Sequence, residues 1–204
     1  MKGWNPRKIA EGRFEVAKGQ GISMEDWVFV DSVLYEFNIH SILEFGSGFS
    51  TIRFAEHPII QKIVSYDENE DWAQCLREQE FPADTKVEIR SWDRVQIKEK
   101  LTIFDLAFVD GPAQGQNREM STKIASEHAM YVLVHDAFRM PDLDWQLKYL
   151  AGRFDLIKKG GLVNQKSKGA PYCHLWSLKP EMRRIHERDG EVLWAWTVPK
   201  QKED

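Results

Sequence analysis

The chain has 204 residues, 42% hydrophobic and 29% charged, which suits one folded domain with its own core and excludes a disordered tail. A net charge of −4 and a pI near 5.9 argue against a general nucleic-acid binder, which is normally basic. No apolar run reaches the ~20 residues of a membrane helix, the start lacks an apolar signal stretch, and Cys75 and Cys173 give neither a disulfide framework nor a CxxC pair, so the expectation is a cytoplasmic protein with no membrane and no nucleic-acid partner.

Residues 1–22 are polar and carry Gly3, Gly12, Gly19 and Gly21, an irregular lead-in. Ser23-Met24-Glu25-Asp26 reads as a helix start, with Ser23 as N-cap and acids in the first turn. Trp27, Val30, Val33, Leu34 and Phe37 follow at helical spacing. Strands and helices then alternate: strand 41–45, helix 51–55, strand 62–66, helix 68–80, strand 86–90, strand 104–109, helix 117–128, strand 131–135 and helix 142–150. Segments 154–158 and 172–178 can close a hairpin whose loop holds Lys158, Lys159, Lys166 and Lys168 with Gly160, Gly161 and Gly169. That loop has two readings, a solvated turn or a mobile basic flap over an acidic substrate. Segment 179–188 is predicted as a surface helix with Pro180 in its first turn, and 192–198 as a terminal strand; the tail 200–204 is charged. Residues 1–37 and 179–204 thus flank the central βα succession of a single domain. Repeated βαβ spacing implies a parallel sheet with helices on both faces, and ligands then bind beyond the carboxyl ends of the strands.

The sharpest local feature is Leu43-Glu44-Phe45-Gly46-Ser47-Gly48-Phe49-Ser50-Thr51. A strand runs into two glycines, which permit unusual backbone and close ligand approach, and a helix N-terminus follows. The sixth position of a dinucleotide G-x-G-x-x-G is Thr51, not Gly, and no Walker lysine follows. Glu44 before the turn suits a sulfonium or ammonium ligand better than a pyrophosphate, and Asp67 ends the second strand where carboxylates accept ribose hydroxyls. Glu44, Gly46, Gly48 and Asp67 together resemble the cofactor site of class I S-adenosylmethionine (SAM)-dependent methyltransferases, whose first motif is E-x-G-x-G. The resemblance implies a Rossmann-like, mostly parallel seven-stranded α/β sheet with an antiparallel C-terminal hairpin. It implies SAM as cofactor, with Ser47, Ser50 and Thr51 in the glycine turn, Asp67 on the ribose, and Ser91, Trp92 and Asp93 near the adenine. The turn itself can also be no more than a tight βα connection, with Asp67 capping a helix.

The fourth strand ends in Asp110-Gly111-Pro112 and the fifth in His135-Asp136-Ala137-Phe138-Arg139. Neighbouring parallel strands lie ~4.8 Å apart, so Asp110, His135 and Asp136 can converge at one rim. Such a group can act as general base on a hydroxyl. Alternatively, Asp110 and Asp136 can hold a divalent metal, Mg²⁺ or Mn²⁺, that acidifies it. Catechol-type methyltransferases carry an Asp-Asn pair at the fifth strand; here the pair reads Asp136-Ala137. Asp110-Gly111-Pro112, Arg118-Glu119-Met120-Ser121 and His135-Asp136 with Arg139 resemble a narrower group, the glucuronoxylan 4-O-methyltransferase type of polysaccharide-biosynthesis enzymes. Phe138 stands where that group has an acidic residue. By that resemblance the activity is O-methylation of a sugar, a uronic acid or a related small acceptor. Arg118 and Arg139 could then clamp a carboxylate, or be a solvated helix-start arginine and an ion-pair partner of Asp136 or Asp142. A metal-assisted small-molecule methyltransferase and a non-catalytic SAM- or glycan-binding module are the competing readings. A homo-oligomer is compatible with Trp194 and Trp196 on one face of the last strand.

Overall fold

The computed structural model describes residues 22–92, 103–112, 118–139, 141–164, 170–180, 184–188 and 191–195. The lead-in, Asp93, Lys166, Lys168, Gly169, Trp196 and the charged tail lie outside them. The chain order is α1 (Met24–Glu36), β1 (Ser41–Phe45), α2 (Phe49–Glu56), β2 (Lys62–Asp67), α3 (Glu70–Arg77), β3 (Lys86–Ser91), β4 (Phe104–Val109), α4 (Glu119–His128), β5 (Ala129–Val134), α5 (Asp142–Tyr149), β6 (Phe154–Asn164), β7 (Ala170–Leu178), β8 (Arg184–Arg188) and β9 (Glu191–Ala195). Seven strands form one sheet in the order β3-β2-β1-β4-β5-β7-β6. The first five are parallel to their neighbours, whereas β7 runs antiparallel to β5 and β6. Among the described residues, no helix is long and apolar enough to cross a membrane.

Period-2 alternation in buried strands builds two cores, one on each side of the sheet. Ile42, Leu106, Phe108 and Leu133 face the side covered by α1, α2 and α3. Leu43, Phe45, Ala107, Val109, Val132 and Val134 face the side that carries Ile124 and Ala125 of α4. Ser23 caps α1: its hydroxyl accepts the Asp26 N–H at 3.0 Å and donates to the Asp26 carboxylate at 2.6 Å. Trp27 then packs on Phe54 of α2, ring centroids 5.4 Å apart.

The sheet changes direction between β1 and β4, because the chain runs outward through β2 and β3 before returning to β4. The two turns leaving these strands touch. Gly46 has φ +95°, and a β-carbon there would stand 2.7 Å from the Gly111 nitrogen. A β-carbon on Gly111 would stand 2.7 Å from Gly46 Cα. Glycine at both positions is therefore a packing requirement of the crevice.

Two expectations fail at the C-terminal end. Lys158, Lys159, Gly160 and Gly161 lie within strand β6, not in a hairpin loop. The glycines make room for helix α1: a β-carbon on Gly160 would fall 2.1 Å from the Phe29 ring, and one on Gly161 would fall 2.2 Å from an Asp26 oxygen. Gly161 has φ +81° and lies where the β6–β7 register shifts, as in a bulge. Residues 184–188 form strand β8 paired with β9, not the end of a helix. Arg184-Ile185-His186-Glu187-Arg188 alternates polar and apolar only weakly, but Asp189-Gly190 between the two strands is a hairpin dipeptide.

Replacing Gly46 by Ala combines left-handed backbone with a backbone clash. We expect Gly46→Ala to lower unfolding free energy by about 3 kcal/mol and Gly111→Ala by about 2 kcal/mol. Urea denaturation checks both, and loss of less than half these amounts would mean that the turns can separate.

Candidate active site

The strand ends of β1, β2 and β3 carry the first half of the site. Glu44 is fully buried beneath the glycine turn. It accepts hydrogen bonds from the hydroxyls of Ser50, Thr51 and Ser65, each at 2.5 Å. Thr51 also accepts the Gly48 N–H at 2.8 Å, and Gly46 N–H donates to the Tyr66 carbonyl at 2.8 Å. Glu44 thus ties the turn and the first turn of α2 to β1 and β2 from behind. Burial pushes its carboxyl from 4.5 up to about 7, against the three hydroxyl hydrogen bonds that favour the charged form.

Asp67 ends β2 and is buried. One of its oxygens accepts the Asn69 N–H at 2.8 Å, and the Ser47 backbone supplies another hydrogen bond. Burial still raises its carboxyl to about 6. Trp92 follows β3 and sets its ring edge-on to Phe45, centroids 5.9 Å apart. Ser91 is engaged by Glu70 and by the Arg77 guanidinium, the latter at 3.2 Å.

The second half sits at the ends of β4 and β5. The sheet ladder runs one residue beyond the strands: Asp110 N–H donates to Phe45 O at 2.9 Å and His135 N–H to Val109 O at 3.0 Å. This lines up Asp110 and His135 side by side. His135 is buried between two carboxylates, with Nδ1 2.9 Å from Asp110 Oδ1 and Nε2 3.3 Å from Asp26 Oδ2. Burial works against its charge, but Asp110, Asp26 and Asp136 outweigh that and raise it to about 10. Asp110 moves the other way: burial would raise it, yet the charges of His135, Arg118 and Arg139 hold it below the usual carboxylate range. At neutral pH the pair is an imidazolium beside a carboxylate.

Arg118 is buried and gives its donors to the protein: Nε to Pro112 O at 3.0 Å, Nη1 to His135 O at 3.1 Å, and Nη2 to Asp110 at 3.4 Å. Asp136 has φ +56° and is buried, a left-handed conformation that Asp tolerates better than most residues and that clusters at functional turns. Its Oδ2 pairs with Arg139 at 2.7 Å. Its Oδ1 is buried with no hydrogen-bond partner among the described residues. Beneath this turn, the Gln146 amide of α5 donates to Ala137 O at 2.9 Å and Asp142 O at 3.2 Å. It accepts from Trp176 Nε1 and His174 Nδ1, both at 3.0 Å. Burial and Lys159 lower His174 to about 4, so this histidine is neutral with its proton on Nδ1.

The structure therefore brings Asp110, His135, Asp136, Arg118 and Arg139 into one network, and sets Gly46, Gly48, Ser47, Ser50, Thr51 and Glu44 around the adjoining turn. Sequence reasoning missed Asp26. Its signal was a carboxylate at the i position of an otherwise apolar i, i+4, i+7 row, Asp26, Val30 and Val33. It also missed Ser65, which reads as an ordinary strand residue until Glu44 is placed beside it.

No protein-family model and no curated protein sequence matches the chain. Solved structures do resemble it. An O-methyltransferase from Bacillus cereus in complex with SAH (S-adenosylhomocysteine) aligns at TM-score 0.63 and 19% identity, over 88% of this chain and 93% of that one. A Klebsiella pneumoniae protein described as an O-methyltransferase aligns at 0.59 and 16%, over 87% and 92%. A Staphylococcus aureus protein described as a caffeoyl-CoA O-methyltransferase aligns at 0.57 and 16%, over 87% and 93%. The chain has the fold of class I SAM-dependent methyltransferases.

Because the folded-state Glu44 carboxyl titrates above its unfolded value, the stability it confers is complete below pH 4.5 and is lost as pH rises through about 7. Relative to Glu44→Gln, the native chain should lose roughly 3 kcal/mol across that window. Urea titrations of both proteins from pH 4.5 to 8 measure the difference, and parallel curves would refute the assignment.

Proposed function

We propose that the chain is a SAM-dependent O-methyltransferase acting on a sugar, a uronic acid or a related small hydroxylated acceptor. The observation that carries this reading is the meeting of two strand-end turns in one crevice. The Gly46 turn with Asp67 stands on one side, Asp110 on the other, and the Gly46–Gly111 contact joins them. The solved methyltransferases of the same fold support it.

The chemistry of the β1–β3 strand ends fits the cofactor. The turn precedes the N-terminus of α2, and Asp67 offers a carboxyl positioned by backbone N–H groups. Bound there, SAM supplies an electrophilic methyl group on a sulfonium.

The acceptor hydroxyl loses its proton as it attacks, and Asp110 is placed to take it. Its side chain is part-exposed, ionised and held at Oδ1 by His135 and Arg118. His135 is less suited to that step, because carboxylates occupy both ring nitrogens and keep it protonated. We assign it the orienting role. Asp136 flanks the same rim, its Oδ2 held by Arg139. Arg139, one-third exposed, is the cation best placed for a uronate carboxylate. The motif likeness to glucuronoxylan-type enzymes points to the same acceptor class. Both cysteines are free, in keeping with work in a reducing cytoplasm.

Asp110 and Asp136 do not fit Mg²⁺ or Mn²⁺ as arranged. Arg118, Arg139 and His135 already neutralise these carboxylates, so a hard divalent ion would have to displace guanidinium groups.

Calorimetry with SAM and SAH tests the cofactor half. Asp67→Ala should weaken binding roughly 10- to 100-fold, the worth of hydrogen bonds to a charged group; absence of binding to the native chain would end the proposal. Asp110→Asn should lower turnover on uronic-acid-bearing saccharides by about 10²–10⁴-fold with SAM affinity kept. Binding without turnover by the native chain, over a broad acceptor panel, would make this a SAM-binding module instead.

A further inference from the structure

We propose that Asp26, His135 and Cys173 form an internal site for one zinc-class transition-metal ion. The three side chains come from α1, the turn after β5, and β7, so only the tertiary fold assembles them. All three are buried. Their ligating atoms lie within 4.8 Å of one another. Asp26 Oδ2 stands 3.3 Å from His135 Nε2, and Cys173 Sγ stands 3.9 Å from Asp26 Oδ1. Zinc bonds of about 2.0–2.1 Å to N and O and about 2.3 Å to S place tetrahedral ligand atoms about 3.3–3.6 Å apart. The Asp26–His135 spacing already matches this range, and Cys173 Sγ stands a few tenths of an ångström beyond it from the other Asp26 oxygen.

The groups behind the donors are arranged as they are around metals. His135 presents Nε2 to the cluster while Nδ1 faces Asp110 at 2.9 Å, the carboxylate–histidine pairing that fixes the tautomer of a ligating imidazole. Asp26 in turn accepts the Ser23 hydroxyl at 2.6 Å. Strand β6 packs directly against two of the donors and holds them in place. Gly161, with φ +81°, has no β-carbon; one built there would meet Asp26 Oδ1 at 2.2 Å and Cys173 Sγ at 3.2 Å.

One sulfur, one nitrogen and one carboxylate oxygen form a borderline-soft set that selects zinc or cobalt over magnesium or calcium. Charge balances as well. A divalent ion enters as the His135 imidazolium proton and the Cys173 thiol proton leave, so the net charge of the buried network is unchanged. Asp110 keeps its hydrogen bond from Nδ1. The ion would lock α1 to the two strand ends that carry the site, and the inference does not depend on the reaction proposed above.

Cobalt(II) is the probe. The full chain, freed of metal with a chelator, should bind one Co²⁺ per molecule with the intense visible bands of a four-coordinate ion and a thiolate-to-cobalt charge-transfer band. Zn²⁺ should bleach both and raise the melting temperature. Cys173→Ser should abolish the charge-transfer band, Cys75→Ala should keep it, and Asp110→Asn should weaken zinc binding about 10- to 100-fold. Failure of the folded native chain to bind either ion would overturn the proposal. So would cobalt binding without a thiolate band that is lost in Asp136→Asn, since the ion would then sit on the rim carboxylates.

Discussion

Two backbones meet where the sheet reverses its order of growth, and the rest of the site is arranged around that contact. Neighbouring parallel strands diverge into separate crossovers at such a point, and the turns that leave them ordinarily splay apart. Here the turns after β1 and β4 touch, because neither Gly46 nor Gly111 carries a β-carbon. The contact fixes how far the strand ends of β1 and β2 stand from those of β4 and β5. Glu44 then secures the first turn from the core side with three hydroxyl groups, and the backbone ladder from Phe45 to Asp110 to Val109 to His135 secures the second.

Behind the rim, the fold concentrates more charge than a core normally holds. Asp26, Asp110, Asp136, His135, Arg118 and Arg139 form one connected set. Their charges nearly cancel, which is what makes their burial tolerable, since an isolated buried ion costs several kcal/mol. The same cancellation sharpens the roles. A carboxylate flanked by cations stays ionised, and an imidazole flanked by carboxylates stays protonated, so neighbouring groups at one rim hold opposite charge.

Much of this was legible in the sequence because it is local. Strands β1, β2, β4 and β5 are short apolar runs that end in Gly or in charge, and hydrophobic periodicity finds them directly. The Gly46 turn and the Asp110 and His135-Asp136 strand ends are visible for the same reason. What was not legible depends on distant partners. Gly160 and Gly161 look like loop residues until Phe29 and Asp26 are laid against them. Arg118 reads as a solvated helix-start residue until Pro112, His135 and Asp110 surround it. The segment before β8 offered a plausible helix start at Pro180, and the Asp189-Gly190 hairpin signal outweighed it. Asp26 looked like an ordinary acid in a helix's first turn, a position that favours carboxylates for reasons unrelated to any site.

The Gln146 amide shows how narrowly one position can be specified. Its oxygen is offered two N–H groups and its nitrogen two carbonyls, so rotating the amide by half a turn would set donors against donors and acceptors against acceptors. Glutamate has the shape but no N–H, and would set a second oxygen against the Ala137 and Asp142 carbonyls. Asparagine has the chemistry but is one methylene short. Position 146 is thus specified by four partners at once, two that give a proton and two that take one, and the turn after β5 rests on it whatever ligand the rim receives.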